Sequence, residues 1–531
     1  MIRRSSARLC SLYLLSWAVC LFTVPPILAQ ETLSRLWVEI RDGEGNPTAA
    51  RITVTGPNGE TLAPEASLVR GNRERFFHAR GQFQLIAPIG EITIKAVKGF
   101  EYHPVTEEVD LNYLELQDRT TAVIVTLQRM IDMPALGWYS GDVHMHPNHR
   151  EGDLYMTLED TLLLSEGEDI HVANLLISNR QGTPRVFDTE FFNDGKPDPL
   201  SNEQTLMVVQ EEFRNASGMY GHMPMLGIKR LITPFFTGRV PNWEDYPPNY
   251  TIASQAQEQG GVVSYAHPST GPGIPEGLHV AREFPIDLAL GVVNALDLLS
   301  NMDEEGGMWM YYKVLNSGLR CTASAGTDTQ MDVLNRDSLP GGSKVYVKVD
   351  GPLTYEKWIE GYRAGRTFVT NGPLLFLELE GEEPGGELSL QSPRNLKASV
   401  RAQSLSPMSR LQLIVNGEVV AETLPSGDDL NLTLDHNLEI NESAWAAARV
   451  LGERSELVRN DSQLFAHTSP VYVSLHGRPV VIEEDVRIIL EWIDRLMADV
   501  RESPRFSQES QRREVLEIFE RGRQYYQDLL N

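Results

Sequence analysis

Residues 140–146 read Ser140-Gly141-Asp142-Val143-His144-Met145-His146, a stretch in which two histidines alternate with apolar side chains. Side chains two residues apart on a β-strand point to the same face. His144 and His146 would therefore present two imidazoles to one point, at the separation that a shared metal ion needs. Asp142 lies one step earlier on that face and could bind the metal or orient a histidine ring. Taken alone, the pair could also be two surface histidines on an exposed strand.

Helical and apolar segments alternate around this stretch, from about residue 135 to 378. Helical patterns at residues 157–165 and 251–259 precede short apolar runs at 173–177 and 261–265. Apolar strands that alternate with helices are typical of α/β folds, in which the sheet is covered on both faces. A region of this length suits one barrel-like domain, which would carry its chemistry where the strands end.

Further candidate ligands lie at predicted strand ends in this region. They are contained in the fragments Glu211-Glu212, Gly221-His222, Ala266-His267-Pro268 and Gly326-Thr327-Asp328. A carboxylate and several imidazoles form the ligand set expected for zinc, manganese or iron, and not for calcium or magnesium. The fragments therefore strengthen the interpretation of the His-x-His pair as part of a metal site.

The regions on either side of this domain have β character. Residues 33–130 contain short alternating strands separated by Gly, Pro and Asn turns, which predicts an N-terminal β-sandwich module. Alternation returns over residues 379–478, where a second β module is expected, with a tight turn at Asn416-Gly417. Residues 480–531 carry apolar stripes at helical spacing, so two helices packed on the protein's own body are predicted.

The first 29 residues have the pattern of a secretory signal peptide. Three arginines precede an apolar run over residues 9–24, and Ala29 offers a small residue for cleavage. The run is short for a membrane span, so we expect an exported protein, periplasmic or extracellular, with no stable membrane anchor. Cys10 and Cys20 would leave with this segment, and Cys321 alone cannot form an internal disulfide, which favours a bacterial source.

Composition and missing motifs exclude several function classes. The formal charge of −26 argues against nucleic acid or an acidic membrane as partner, because both repel an acidic protein. The sequence contains no Gly-x-Ser-x-Gly elbow, no Gly-x-Gly-x-x-Gly and no phosphate-binding loop, so serine-hydrolase, dinucleotide and nucleotide-hydrolysis chemistry lack support. We expect a small-molecule substrate, and the sequence leaves the oligomeric state open.

Taken in order, the His-x-His pair, the strand-end glutamate, Gly-His, Ala-His-Pro and Gly-Thr-Asp resemble the PHP superfamily of metallohydrolases. Residues 366–373, Arg-Thr-Phe-Val-Thr-Asn-Gly-Pro, are similar more narrowly to its CehA/McbA branch. The resemblance covers about residues 135–380. It implies an α/β fold, a distorted (β/α)7-type barrel with metal ions at the carboxyl ends of its strands. Here the barrel would be flanked by the two β modules and the helical tail.

The resemblance also implies a set of metal ligands. These are His144, His146, Glu212, His222, His267 and Asp328. The first two histidines, Glu212 and Asp328 would bind one ion, and Glu212 would bridge to a second ion held by the two later histidines. Glu211 is the alternative bridging acid, because Gln210 replaces the glycine usually found two residues before that glutamate.

Two positions depart from the family pattern. Ile177-Ser178-Asn179 stands where Thr-Asp-His is usual, and Gln330 replaces the histidine that follows the last aspartate. Both losses fall on ligands of the third ion in trinuclear members, so one or two divalent transition-metal ions are expected. His149 could be a remnant of that third site or a proton donor to the leaving group.

The function expected from these residues is that of an exported metal-dependent hydrolase. Two ions sharing Glu212 would lower the pKa of a bound water toward ~7 and polarise a carbonyl or phosphoryl oxygen. Asp328 could orient that water and shuttle its proton, which makes Asp328 and His149 the candidate catalytic residues. Esters, amides, carbamates and phosphoesters all suit this chemistry. The alternative is a secreted binding or scaffold protein with a vestigial metal site.

Overall fold

The computed structural model describes residues 33–111, 120–149, 154–179, 184–276, 280–300, 303–427, 430–454 and 463–531. Over these residues the protein is a mixed α/β chain with many strands and few helices. The predicted signal peptide at residues 1–29 lies outside the described residues. None of the described helices is long and apolar enough to cross a lipid bilayer.

The N-terminal region forms a three-stranded and a five-stranded sheet. Its strands are β1 (Leu33–Asp42), β2 (Ala49–Thr55), β3 (Thr61–Leu62), β4 (Phe77–Arg80), β5 (Gln82–Pro88), β6 (Glu91–Val97), β7 (Val105–Asp110) and β8 (Thr120–Leu127). β1 pairs with β5 and β8, whereas β2 pairs with β3, β4 and β6. The alternating residues Leu36, Val38 and Ile40 of β1 are buried in a core that both sheets share. The apolar residues therefore alternate with polar ones in the sequence because only one face of the strand is buried.

The central region contains the strands around the candidate site. They are β9 (Trp138–His146), β10 (Val172–Ile177), β11 (Leu206–Asn215), β12 (His222–Leu226), β13 (Phe236–Thr237), β14 (Val262–Tyr265), β15 (Ala295–Leu299), β16 (Thr322–Ala325), β17 (Thr329–Gln330), β18 (Lys344–Lys348) and β19 (Thr367–Thr370). Its helices are α1 (Leu158–Gly167), α2 (Asn249–Glu258), α3 (Phe284–Ala289), α4 (Glu304–Leu315) and α5 (Tyr355–Arg363). The helices predicted over residues 157–165 and 251–259 thus form as α1 and α2. Thr157 caps α1 through a capping box with Asp160.

These strands belong to one large curled sheet. β9, β10 and β11 run parallel, as do β14, β15 and β16, but β12 runs antiparallel to both β11 and β14. Residues 216–221 connect β11 to β12 and are too few for the crossover that parallel strands need. The (β/α)7-type barrel implied by the resemblance is therefore not confirmed, and the described residues show a mixed curled sheet instead.

The C-terminal β region continues this sheet. Its strands are β20 (Leu374–Leu379), β21 (Glu387–Leu390), β22 (Arg394–Gln403), β23 (Arg410–Val415), β24 (Glu418–Thr423), β25 (Asn431–Ile440), β26 (Ala444–Leu451), β27 (Phe465–Thr468) and β28 (Val471–Leu475). β27 pairs with β19, whereas β20, β22 and β25 form a separate sheet that shares a core with β23 and β26. Asn416 and Gly417 form the turn between β23 and β24, both at positive φ, as the sequence predicts.

The chain ends in two helices, α6 (Glu483–Glu502) and α7 (Glu509–Asp528). Trp492 and Phe519 on their buried faces join the core of the central region. The Trp492 indole N–H donates to the carbonyl oxygen of Arg282, and the ring of Phe519 meets that of Tyr220 edge-on. The tail helices therefore pack on the protein's own body, behind the strands that carry the candidate site.

Candidate metal centre

The carboxyl end of β9 brings His144 and His146 together. Both side chains are buried, and their Nε2 atoms lie 3.1 Å apart. Nδ1 of His146 lies 3.0 Å from the carbonyl oxygen of Leu176, which holds the proton on Nδ1 and leaves the Nε2 lone pair free. Two buried nitrogens that face each other at this distance need a proton or a cation between them.

Glu212 and Asp328 complete the first group of candidate ligands. Nε2 of His144 lies 3.6 Å from Glu212 Oε1 and 3.5 Å from Asp328 Oδ1. Nε2 of His146 lies 3.4 Å from Glu212 Oε2 and 3.3 Å from Asp328 Oδ1. Ligand atoms at about 2.1 Å from a tetrahedral metal ion lie about 3.4 Å from one another. The measured spacings match the edges of such a site.

A second group of potential ligands consists of Glu212, His222 and His267. Glu212 Oε1 lies 3.2 Å from His222 Nδ1 and 3.9 Å from His267 Nε2. The two histidine rings meet edge-on with centroids 4.9 Å apart. Glu212 thus belongs to both groups, which is the position that a bridging carboxylate takes.

Strand β11 points Glu211 and Glu212 in opposite directions. Oε2 of Glu211 accepts a hydrogen bond of 2.8 Å from the backbone N–H of Ile232, away from the histidines. Burial raises the pKa of Glu211 to about 8, so this side chain is protonated at neutral pH. Of the two glutamates that the sequence left open, the structure brings Glu212 to the cluster.

The cluster strongly favours positive charge. Burial would raise the pKa of Glu212, but Arg214 and His144 outweigh it and hold that pKa well below its usual range. Likewise, His144 and His146 hold the pKa of Asp328 well below its usual range against the effect of burial. Burial lowers the pKa of His144, but the charges of Asp328 and Glu212 overcome this and raise it to about 9. A proton on His144 is thus the minimum charge that the two carboxylates require.

Two candidate ligands lie on left-handed backbone. His267 has φ of 33° and Asp328 has φ of 46°. Such conformations cost free energy for residues other than glycine, and they concentrate at functional sites. Before Asp328, Gly326 packs directly on β9, where an added Cβ would lie 2.5 Å from the Cβ of His144. The turn that presents Asp328 therefore requires glycine at this position.

Asp142 anchors this turn. Its Oδ1 accepts from the backbone N–H groups of His144 and Thr327, each at 3.0 Å. Its Oδ2 accepts from the Thr327 hydroxyl at 2.6 Å and from the backbone N–H of Gly341 at 2.9 Å. With both oxygens used in this way, Asp142 holds the turn in place, and none of these four hydrogen bonds is to a histidine ring, which is the contact that the sequence analysis considered.

His149 lies beside the cluster, stacked on His146 with ring centroids 4.5 Å apart. Its Nε2 lies 3.4 Å from Nη1 of Arg214, and its backbone N–H donates to Asp332. Burial, together with the charges of His146 and Arg214, lowers the pKa of His149 well below its usual range. The ring is neutral near neutral pH, which favours a hydrogen-bonding role over the proton-donating role suggested by the sequence.

Arg214 is a site residue that the sequence analysis did not single out. It follows Glu212 by two residues on the same face of β11, and its Nε lies 3.7 Å from Glu212 Oε1. Its Nη1 donates to the carbonyl oxygen of Asn179 at 2.6 Å. The alternation that pairs His144 with His146 also pairs Glu212 with Arg214, so this signal was present in the sequence.

No protein-family model and no curated protein matches this chain. A two-domain protein from Bacteroides vulgatus, described as containing a predicted PHP-like metal-dependent phosphoesterase, is similar over 63% of this chain and 95% of its own, with 13% identity and a TM-score of 0.32. A β-glucuronidase from Parabacteroides merdae is similar over 81% of this chain and 60% of its own, with 9% identity and a TM-score of 0.18. Neither TM-score establishes a common fold. The case for a metal centre therefore depends on the geometry of the cluster.

Proposed function

We propose that this protein is a metal-dependent hydrolase of the PHP type, with one or two transition-metal ions held by the six clustered side chains. The observation that carries the proposal is the shared position of Glu212, which belongs to both groups of potential ligands. Imidazole nitrogens and carboxylate oxygens at tetrahedral spacing suit zinc, manganese or iron.

The surrounding residues keep the bridging carboxylate in place. The hydroxyl of Ser178 donates to Glu212 Oε2 at 2.9 Å, and Arg214 approaches Oε1 from the other side. Oriented ligands of this kind bind a metal more tightly than mobile ones, because less ordering is needed on binding. The positive charge of Arg214, beside Asn179, also opposes a third cation at that position.

Bound divalent ions supply a water of lowered pKa and polarise a carbonyl or phosphoryl oxygen. Asp328 is the member of the cluster most open to solvent, with a side chain 36% exposed, whereas that of Glu212 is 2% exposed. Asp328 is therefore positioned to orient an incoming water and to accept its proton. His149, neutral and stacked on His146, is positioned to donate a hydrogen bond.

We further propose which bonds the protein cleaves and that it is exported. We propose cleavage of an ester, amide, carbamate or phosphoester, because the same metal chemistry serves all four. The similarity of residues 366–373 to the CehA/McbA branch supports placement in that branch. The basic and apolar pattern of residues 1–29 supports export.

The test compares two neighbouring glutamates on one strand. Glu212→Gln removes the shared ligand, whereas Glu211→Gln replaces a protonated carboxyl and retains an acceptor for the Ile232 N–H. We expect wild type and Glu211→Gln to bind one or two transition-metal ions per chain and to hydrolyse members of a panel of chromogenic carboxylic, carbamate and phosphate esters. Glu212→Gln should lose metal and activity together.

A folded wild-type protein that binds no transition metal would falsify the proposal. Equal losses in the two glutamate variants would also contradict it, because the cluster would then have no special role. Metal binding without hydrolysis of any ester in the panel would support the binding or scaffold alternative instead.

A further inference from the structure

We propose that Arg214 and His149 form an oxyanion-binding subsite beside the metal centre, so that the substrate carries a phosphate or carboxylate group next to the bond that is cleaved. The inference rests on the proposed function for the bond cleavage. The subsite itself rests on the contacts of these two side chains.

Among the residues that the structure describes, hydrogen bonds hold the guanidinium of Arg214 only at Nη1. Nη1 contacts both the carbonyl oxygen of Asn179, at 2.6 Å, and Nε2 of His149, at 3.4 Å. Among the described residues Nε and Nη2 donate no hydrogen bond, and the nearest approach of Nε to a carboxylate is 3.7 Å, to Glu212. Nε–H and one N–H of Nη2 form the parallel fork that binds carboxylate and phosphate oxygens. This fork is the edge of Arg214 that borders the metal centre.

His149 carries a second potential donor on the ring that contacts Arg214. A guanidinium can only donate, so Nε2 of His149 accepts from Arg214 and the ring proton resides on Nδ1. Nδ1 is buried and has no hydrogen-bond partner within the part of the chain that the structure describes. Stacking on His146 and the bond from the backbone of His149 to Asp332 fix the ring. A buried N–H without an acceptor is costly, and an oxygen of a bound anion would satisfy it.

The charges around Arg214 also favour an anionic ligand. Arg214 contacts a backbone carbonyl and an imidazole. Among the described residues its one nearby carboxylate is Glu212, which is also shared by both groups of potential metal ligands. Once that carboxylate is engaged by metal, the charge of Arg214 has no matched partner among the described residues. The chain as a whole carries a formal charge of −26 and repels anions. The positive charge of the partly buried Arg214 would attract an anionic substrate to the site.

The experiment measures binding of inorganic phosphate and of acetate to the metal-loaded protein by calorimetry. Arg214→Met removes the charge, Arg214→Lys keeps it without the fork, and Arg282→Met is the matched control. Arg282 is also a largely buried arginine, but it pairs with Asp499 on α6. Metal content is determined for every variant, so that failure of the metal centre is seen separately from failure of the subsite.

We expect Arg214→Met to weaken binding of at least one anion by about tenfold or more, with metal content unchanged. Arg214→Lys should fall between wild type and Arg214→Met, and Arg282→Met should bind as wild type does. Loss of phosphate binding alone identifies a phosphoryl group, and loss of acetate binding alone identifies a carboxylate. His149→Phe, which keeps a stacking ring without donors, should weaken binding of the same anion by a smaller factor.

If Arg214→Met binds both anions with affinities within about twofold of those of wild type, the subsite proposal is overturned. The hydrolase proposal would survive that result if the protein still bound metal and cleaved a neutral ester. Conversely, if the wild type binds no metal while its phosphate binding still depends on Arg214, the subsite proposal stands and the hydrolase proposal fails.

Discussion

Two clusters of buried ionisable side chains differ in how their charges are balanced. The metal-centre cluster combines four histidines and two carboxylates with one arginine, Arg214, among the described residues. The second cluster lies where the N-terminal module meets α1 and β18, and we call it the junction cluster. It consists of Arg51, His78, Lys98, Glu101, Glu168, Asp169, His171 and Lys344, all buried.

The junction cluster contains its own counter-charges. Glu168 accepts from Nη1 of Arg51 at 3.0 and 2.9 Å, one contact for each carboxylate oxygen, and from Nε2 of His78 at 2.7 Å. Nζ of Lys344 donates to the carbonyl oxygens of Glu168 and Asp169 at 2.6 and 3.1 Å. In the metal-centre cluster, by contrast, the carboxylates of Glu212 and Asp328 lie against the imidazole nitrogens of His144 and His146. Burial of ionisable groups is common to both clusters, so the convergence of several imidazole nitrogens on shared carboxylates, and not the burial, distinguishes a candidate ligand site from a structural network.

The largest effect is expected from Glu168→Gln. This change leaves Arg51 and His78 buried without an anion, which typically costs about 3–5 kcal/mol of stability. The measurement is the free energy of unfolding in urea. Glu212→Gln in chelated protein is the comparison, and it should cost much less, because the histidines around Glu212 can lose their protons and the nearest guanidinium nitrogen is 3.7 Å away. Similar losses in the two variants would mean that both clusters are structural networks.

The second prediction concerns the pH dependence of stability at the junction. Burial lowers the pKa of His171 to about 4. Between about pH 6.5 and 4, the unfolded chain therefore binds a proton that the folded protein excludes, and stability falls as the pH is lowered, by about 2–3 kcal/mol between pH 7 and 4.5. The measurement is urea unfolding at these two pH values for wild type and His171→Gln.

His171→Gln serves as the reference because Glu101 titrates in the opposite sense. Burial raises the pKa of Glu101 to about 8, so its contribution to stability is lost as the pH rises from about 4.5 to 8. The difference between the pH profiles of wild type and His171→Gln isolates the contribution of His171 to stability. Identical pH dependence in wild type and His171→Gln would show that the junction does not exclude this proton.

The sequence predicted the metal-centre cluster far better than the junction cluster. Strand alternation identified the His144 and His146 pair, and predicted strand ends identified the other candidate ligands, because local spacing determines where those side chains point. The junction depends on contacts such as Arg51 with Glu168, 117 positions apart, which no local pattern encodes. The α/β character was predicted, but the (β/α)7-type barrel was not confirmed for a related reason, since the direction of β12 depends on the short connection that precedes it.

The local sequence pattern does not determine whether Glu211 or Glu212 faces the histidines. Alternation places the two on opposite faces of β11, but only the pairing of β11 with its neighbours determines which face meets the histidines. Arg214 follows from Glu212 by the same alternation once that choice is made. The residues around the ligands were therefore predictable only after the register was known.

The third prediction is that Asp142→Asn weakens metal binding while leaving every proposed ligand in place. An amide has one acceptor oxygen, so at least one of the N–H and O–H groups of Thr327 and Gly341 loses its partner. Metal affinity should fall by about 10- to 100-fold, as for other residues that orient ligands. Competition with a chelator measures this affinity. Thr327→Val, which removes a single donor, should have a smaller effect, and unchanged affinity in Asp142→Asn would contradict the anchoring role.

The smallest effect is expected from Ser178→Ala, which removes the hydroxyl that donates to Glu212 Oε2. The ions would still be held by all six proposed ligands, so affinity should fall by less than about tenfold, below the effect of Asp142→Asn. Ser165→Ala is the matched control, because Ser165 is buried and donates at 2.8 Å to the carbonyl oxygen of Thr161 within α1. Both variants should lose about 1 kcal/mol of stability, as expected for one hydrogen bond. Only Ser178→Ala should change metal affinity, because only its hydrogen bond ends on a proposed metal ligand.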